Sequence, residues 1–248
     1  MCTHDPVTGI ATETSERGIA PISKVVHFGL QVLAVIDKEF RSEFRQRVGL
    51  GVLLLSITVV VAVLAFALQS VPLSAELFAA LLWTVFFFSL SPALGRSFVM
   101  EEERGTRLLL FSLTHPSAIY WGKLSANFIV GSASNAVALL VLVGLLQVPP
   151  VANPIGLLLL LFLAAAGFAA ALTLLSALIA GAQHRGTLVF ILSLPVIVPL
   201  VFLGVRATIV LLQQPGWEQL IPLFHLLLAY SGILAILGFW LFEWVWRE

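Results

Sequence analysis

Six long apolar stretches, each close to the length of a bilayer crossing, follow one another along most of this chain. They cover residues 50–68, 77–95, 124–146, 155–180, 187–205 and 220–242. A helix rises about 1.5 Å per residue and a bilayer core is about 30 Å thick, so roughly 20 apolar residues are enough to cross it. Polar residues and helix breakers separate the stretches, among them Pro149-Pro150 and Gln213-Gln214-Pro215-Gly216. The breaks fall at residues 69–76, 96–123, 147–154, 181–186 and 206–219. The fifth stretch contains Pro195 and Pro199. Each proline lacks an N–H and crowds the preceding turn, which predicts a kinked or partly unwound span whose freed carbonyls are served by neighbouring helices.

Ahead of the first stretch the pattern changes. Phe28, Val32, Ile36, Phe40, Phe44 and Val48 recur every four residues, with Val25, Leu33 and Val35 filling the same face. Lys38, Glu39, Arg41, Glu43, Arg45 and Arg47 lie mainly off it. This predicts an amphipathic helix over residues 23–48, lying in the headgroup region with Phe40, Arg41, Phe44 and Arg45 at the membrane interface. A plain arm packed on the protein's own surface is the alternative. Residues 1–22 are polar and aperiodic and read as a disordered cytoplasmic tail. The first apolar run begins too late for a cleaved signal peptide, so it is expected to be retained. The predicted fold is an all-α integral membrane protein: tail, interfacial helix, and a six-span domain over residues 49–248 with a loop at 96–123.

Composition agrees. The chain is 60% hydrophobic and 10% charged, against about 45–50% and about 25% in soluble domains. So much apolar surface has to face lipid. Net charge is zero, but the placement of Lys and Arg orients a membrane protein. With the N-terminus in the cytoplasm, twelve of the 13 basic residues fall inside and only Arg206 outside. Both termini and the 96–123 loop of this multi-pass protein are then expected to be cytoplasmic. The single cysteine, Cys2, excludes an internal disulfide or a thiolate metal cluster.

Catalytic patterns are absent: there is no HExxH helix and no G-x-S-x-G elbow. Gly122-Lys123-Leu124-Ser125 lacks the glycine five residues before the lysine and the hydroxyl directly after it, so it is no phosphate loop. Any use of ATP must come through a partner chain. Nothing points to nucleic acid. His225 is the main ionisable group inside a span, with Tyr230 deeper along the same stretch. It reads either as a ligand-facing imidazole able to hold heme iron or as an interfacial histidine bonded to a carbonyl or water. Arg206 and Glu218 bracket the longest outer loop and are candidates for a weak exposed pair. Trp121, Trp217, Trp240, Trp244 and Trp246 form an aromatic belt. Small residues at 131–136 and 164–171 suit close helix packing or dimerisation.

The 96–123 loop is the densest charged segment. Glu101, Glu102 and Glu103 precede Arg104; Gly105 allows a turn; Leu108, Leu109, Leu110, Phe111 and Leu113 form an apolar segment too short to span. Pro116 ends it, and Ser117 is placed to cap the third span, with Gly122-Lys123 as hinge and anchor where that span starts. Three glutamates are ill suited to an anionic leaflet, so a short helix docking into a soluble partner is predicted.

The order acidic cluster, Gly105-Thr106, leucine-rich segment, Pro116, Gly122-Lys123 resembles the coupling loop of type-2 ABC-exporter permeases. His184-Arg185-Gly186 followed by LVFILSLPVIVPLVFLG, together with Trp83 and the Arg96/Phe98 pair, resembles the heme exporter protein B family, CcmB. The resemblance runs from about Phe40 to the C-terminus. It implies a non-catalytic membrane subunit of the cytochrome c maturation transporter, driven by a CcmA-type ATPase that holds ATP-Mg. It also implies a second copy, the partners CcmC, CcmD and the heme chaperone CcmE, and heme as candidate cargo, with no cofactor bound directly. The ATPase-coupling residues are then Glu101, Glu102, Glu103, Gly105, Thr106, Arg107, Leu109, Phe111 and Pro116. His225, Tyr230, Arg206 and Trp217 are candidates for the heme or chaperone side. Arg107-Leu108 stands after Thr106 where the family usually carries Leu-Glu, so the partner contact is expected to differ in detail. The first ~40 residues are longer than the family needs. A generic type-2 exporter permease for a lipid, drug or polysaccharide, and a six-span scaffold without an ATPase, remain as alternatives.

Overall fold

A computed structural model of the chain describes residues 21–45, 47–68, 72–180 and 185–245. The side chains at 21–27, 43–50, 52, 107, 108, 111, 185–190 and 245 lie outside that description. The elements of the described residues are helices: α1 (Pro21–Arg45), α2 (Arg47–Leu68), α3 (Ala75–Leu94), α4 (Val99–Glu103), α5 (Arg107–Leu113), α6 (Pro116–Leu145), α7 (Pro154–Ile179), α8 (Arg185–Gln213) and α9 (Leu220–Val245). Five of the apolar helices are long enough to cross a membrane, and the apolar part of α2, Leu53–Leu68, is shorter. As a whole α2 has 22 residues, about 33 Å of helix. The six predicted stretches therefore each sit on their own long helix.

The bundle is built around α7, which packs against α3, α6, α8 and α9. Its run of small residues explains this. Ala164, Ala165, Ala169, Ala170 and Ala171 are buried and let four neighbours come close. The small-residue run is thus used inside the chain. On the next layer, α3 packs against α8, where the Trp83 indole N–H donates to the Thr208 hydroxyl at 3.0 Å and the ring fills the space over Gly204. The Phe86 and Phe168 rings flank Trp83. One end of the bundle is pinned by Asn153, whose side chain accepts from the Gly156 N–H while its own N–H bonds the Leu211 carbonyl. At the same end the Gln213 amide donates to Glu76 at 3.1 Å. The other end carries α4 and α5, which form the elbow.

Several boundaries differ from the sequence expectation. The third long helix starts at Pro116, two turns before residue 124, with His115 and not Ser117 as its N-cap: the His115 ring accepts from the Ser117 N–H. Pro116 therefore opens α6, where its missing N–H costs nothing. Gly122-Lys123 is consequently helix interior, not a hinge at the start of a span. The fifth helix continues to Gln213 and includes Arg206, which was expected in a loop. It also runs through Pro195 and Pro199 without unwinding. Contacts from α3, α7 and α9 hold it on several sides, and the Tyr230 hydroxyl donates to the Val196 carbonyl at 2.6 Å, within the proline segment. Residues 1–20, the greater part of the predicted tail, and His184 lie outside the described residues.

Candidate coupling site at the elbow

The second long helix stops at Leu94, and the chain turns through residues 95–98 before α4 begins. Phe98 fixes that turn. Its backbone N–H donates to Ser176 of α7 at 2.9 Å, and its ring is buried beside Phe242 of α9. Gly105 then reverses the chain with φ +66°, a left-handed conformation that side chains with a Cβ rarely adopt. Thr106 follows at the head of α5, and Thr114 ends that helix. On α5, Leu110 packs inward against the cluster formed by Phe98, Ile119, Tyr120 and Phe242. Leu109 and Leu113 share the opposite face and are 61% and 71% exposed. The result is a short helix fastened on one side and presenting two leucines on the other.

Beneath it lies a buried ion cluster. Lys123 of α6 is 0% exposed, and its ammonium donates to Glu39 of α1 at 2.7 Å, to the Ser97 carbonyl at 2.8 Å and to Glu101 of α4 at 3.2 Å. It also stands 5.1 Å from the centre of the Phe98 ring. A buried ammonium is tolerated only when partners replace its water, and here every donor direction has one. Lys38 of α1 closes the cluster through Glu39 at 3.0 Å and through Glu101. Burial pulls the Lys38 pKa down, but the carboxylates of Glu39 and Glu101 outweigh it and leave the group above its ordinary value. The second Glu101 oxygen accepts from the Thr106 hydroxyl. So the first of the three glutamates faces inward and joins α1, α4, α5 and α6. Glu103 is at the surface, 3.8 Å from Arg96, and Arg104 donates to Ser42 of α1 at 2.9 Å.

Gly122 explains how α1 comes so near. A Cβ there would fall 2.6 Å from Val35. Helix α1 therefore rests flush on α6, with Val35 buried, while Phe28, Leu30 and Leu33 are exposed. Glu39 and Lys38, expected on its polar face, are turned into the protein. From Lys123 a polar seam continues along α6 through Asn127, four residues on, and Asn135, eight residues further. Asn127 donates to Thr173 of α7 at 2.7 Å and to Ser97 at 3.3 Å. Asn135 donates to the Leu161 carbonyl at 3.4 Å. Sequence reading missed this seam because Asn127 and Asn135 sit inside a long, largely apolar stretch; their spacing of four and then a further eight residues from Lys123 was the available signal.

A family model described as CcmB protein matches residues 30–239, spanning all of the elbow and the ion cluster. The chain belongs to the CcmB family. CcmB chains are six-span permeases, the membrane subunit of the ABC transporter of cytochrome c maturation, and the ATPase is a separate subunit, CcmA. No curated protein matches the chain.

The other candidate residues of this CcmB chain do not converge on one place. Arg41 is exposed and pairs with Asp37 one turn earlier at 2.7 Å, while Phe40 is half-buried. The side chains of Phe44, Arg45, Arg107 and Phe111 lie outside the described residues. His225 is exposed near the start of α9. Tyr230 is committed to the backbone of α8. Arg206 makes no ion pair with Glu218 among the described residues and instead lies 5.8 Å from the Phe202 ring. Trp217 packs edge-on to Phe224. Trp240 and Trp244 are strongly exposed, whereas Trp121 is half-buried against Tyr120 and Phe239. An open apolar groove of about 400 Å³ runs between α3 and α8, lined by Trp83, Phe87, Phe88, Ile197 and Phe202.

Proposed function

We propose that α5 is the helix seated on the CcmA-type ATPase, and that ATP-driven movement of the ATPase reaches the spans through the elbow. The observation that carries this reading is the exposed pair Leu109 and Leu113 on a helix whose other side is fixed by Leu110. Two apolar side chains on a short amphipathic helix are suited to filling a groove on a soluble partner. In this reading the elbow and both termini are cytoplasmic, in agreement with the concentration of Lys and Arg at that end. Arg107, Phe111 and Glu103 join the contact, Pro195 and Pro199 supply the deformable span, and α1 lies in the inner headgroup layer. A second copy, CcmC, CcmD and CcmE complete the assembly, and the ATPase cycle releases the heme-loaded chaperone. Heme enters as cargo or as the chaperone's load, with His225, Arg206 and Trp217 on the side where it is handled.

The test is co-purification of the ATPase with a Leu109→Asp/Leu113→Asp chain. Loss of the ATPase with normal membrane insertion supports the docking, and full retention refutes it. A cell carrying this variant makes no c-type cytochromes; a generic exporter permease would leave them unchanged.

A further inference from the structure

The ion cluster reaches beyond the elbow, into a helix that docking of α5 does not itself require. One Glu101 oxygen meets Lys123 of α6 and Lys38 of α1, and the other meets Thr106 at the head of α5. Glu39, next to Lys38, bonds the same Lys123 ammonium. From these contacts we propose that Lys123 is a positioning residue that makes the N-terminal helix α1 a moving part of the coupling apparatus. Displacement of α5 passes through Thr106 and Glu101 to α1 and α6. The proposal rests on the reading that α5 seats on the ATPase.

Three features support it. The junction is charged and shared, and Lys123 and Glu101 at its centre are buried, so these two separate only at the cost of stranding an ion in a dry site, whereas an apolar contact could slide. The contact of α1 with α6 is close-packed, with Val35 over Gly122, which transmits a push without slack. Finally, α2 begins two residues after α1 ends, so a shift of α1 is delivered to the first span as well as to the third. The exposed apolar face of α1, with Phe28, Leu30 and Leu33, would slide within the headgroup layer without exposing new surface to water.

The experiment uses the assembled complex with its CcmA-type ATPase in lipid nanodiscs, in a Cys2→Ser background. Spin labels at Asp37→Cys on α1 and Leu226→Cys on α9, both exposed positions, report the distance between the two helices. Trapping a non-hydrolysable ATP analogue should shift this distance in the parent chain. The shift should be lost in Lys123→Met and in the milder Lys38→Met, whose half-exposed side chain keeps the test open if Lys123→Met does not fold. Both variants should retain the ATPase and its hydrolysis, which separates uncoupling from loss of structure. An unchanged shift in Lys38→Met, or no shift in the parent chain, overturns the proposal. If the Leu109→Asp/Leu113→Asp chain keeps its ATPase, the docking reading itself fails. If docking through α5 holds but α1 moves regardless of Lys123 and Lys38, only the coupling proposal fails.

Discussion

Replacing Lys123 by Met keeps the length of the side chain and removes its charge, which isolates the electrostatics of the elbow. The ammonium has three hydrogen-bond acceptors, and its loss leaves Glu101 and Glu39 with Lys38 as the remaining ammonium. Glu101 is itself buried, so water cannot take over. Breaking a buried pair by removing one partner costs about 3–5 kcal/mol. For a chain of this size each kcal/mol lowers a thermal midpoint by about 2–4 °C, so a loss of roughly 6–20 °C is expected. The assay is thermal unfolding of the detergent-purified chain followed by tryptophan fluorescence. The second variant is Lys123→Met/Glu101→Gln, which removes one carboxylate together with the ammonium. It should recover part of the loss, because the penalty comes from the stranded charge. A midpoint unchanged in Lys123→Met would refute the buried cluster. A double variant less stable than the single one would refute the electrostatic cause.

Three further outcomes follow from the geometry. Gly105→Val places a Cβ in the left-handed conformation at φ +66°, so about 1–2 kcal/mol of strain is expected at the elbow; the midpoint falls and ATPase retention weakens, both read on the purified complex. Thr208→Val leaves the buried Trp83 N–H without its acceptor, costing about 1–3 kcal/mol; Thr208→Ser should restore the midpoint. Tyr230→Phe removes the bond to the Val196 carbonyl and should cost about 1 kcal/mol with c-type cytochrome formation intact. Loss of cytochromes at normal stability would instead place Tyr230 on the heme path.

The six long helices were legible because their apolar stretches exceed what a water-soluble core of this size can absorb. The short helix after Gly105 was equally legible, since glycine, leucines and proline punctuate it locally. What sequence concealed was the burial of charge. Lys123 looked like a residue at a membrane edge, which put the start of the third helix two turns late. Its partners Glu101 and Glu39 are distant in the chain, and no local pattern announces that they meet. Arg206 misled in the same way: a long cationic side chain can emerge from a helix to the surface, so it did not mark a loop. Glu101 was grouped with Glu102 and Glu103 as a surface cluster, although helical geometry turns the first inward and the third outward. The helical periodicity of α1 is plain in the sequence, but which of its faces meets the bundle depends on the close approach at Gly122, and only the packed structure shows that.

The central claim is that the exposed face of α5 meets the ATPase. A photo-crosslinking amino acid at Leu113, with Leu140 on the far half of α6 as the control position, tests this most directly, since both side chains are strongly exposed. An adduct with the ATPase is expected from position 113 and none from position 140. Absence of an adduct at 113 in an assembled, ATP-hydrolysing complex would contradict the claim.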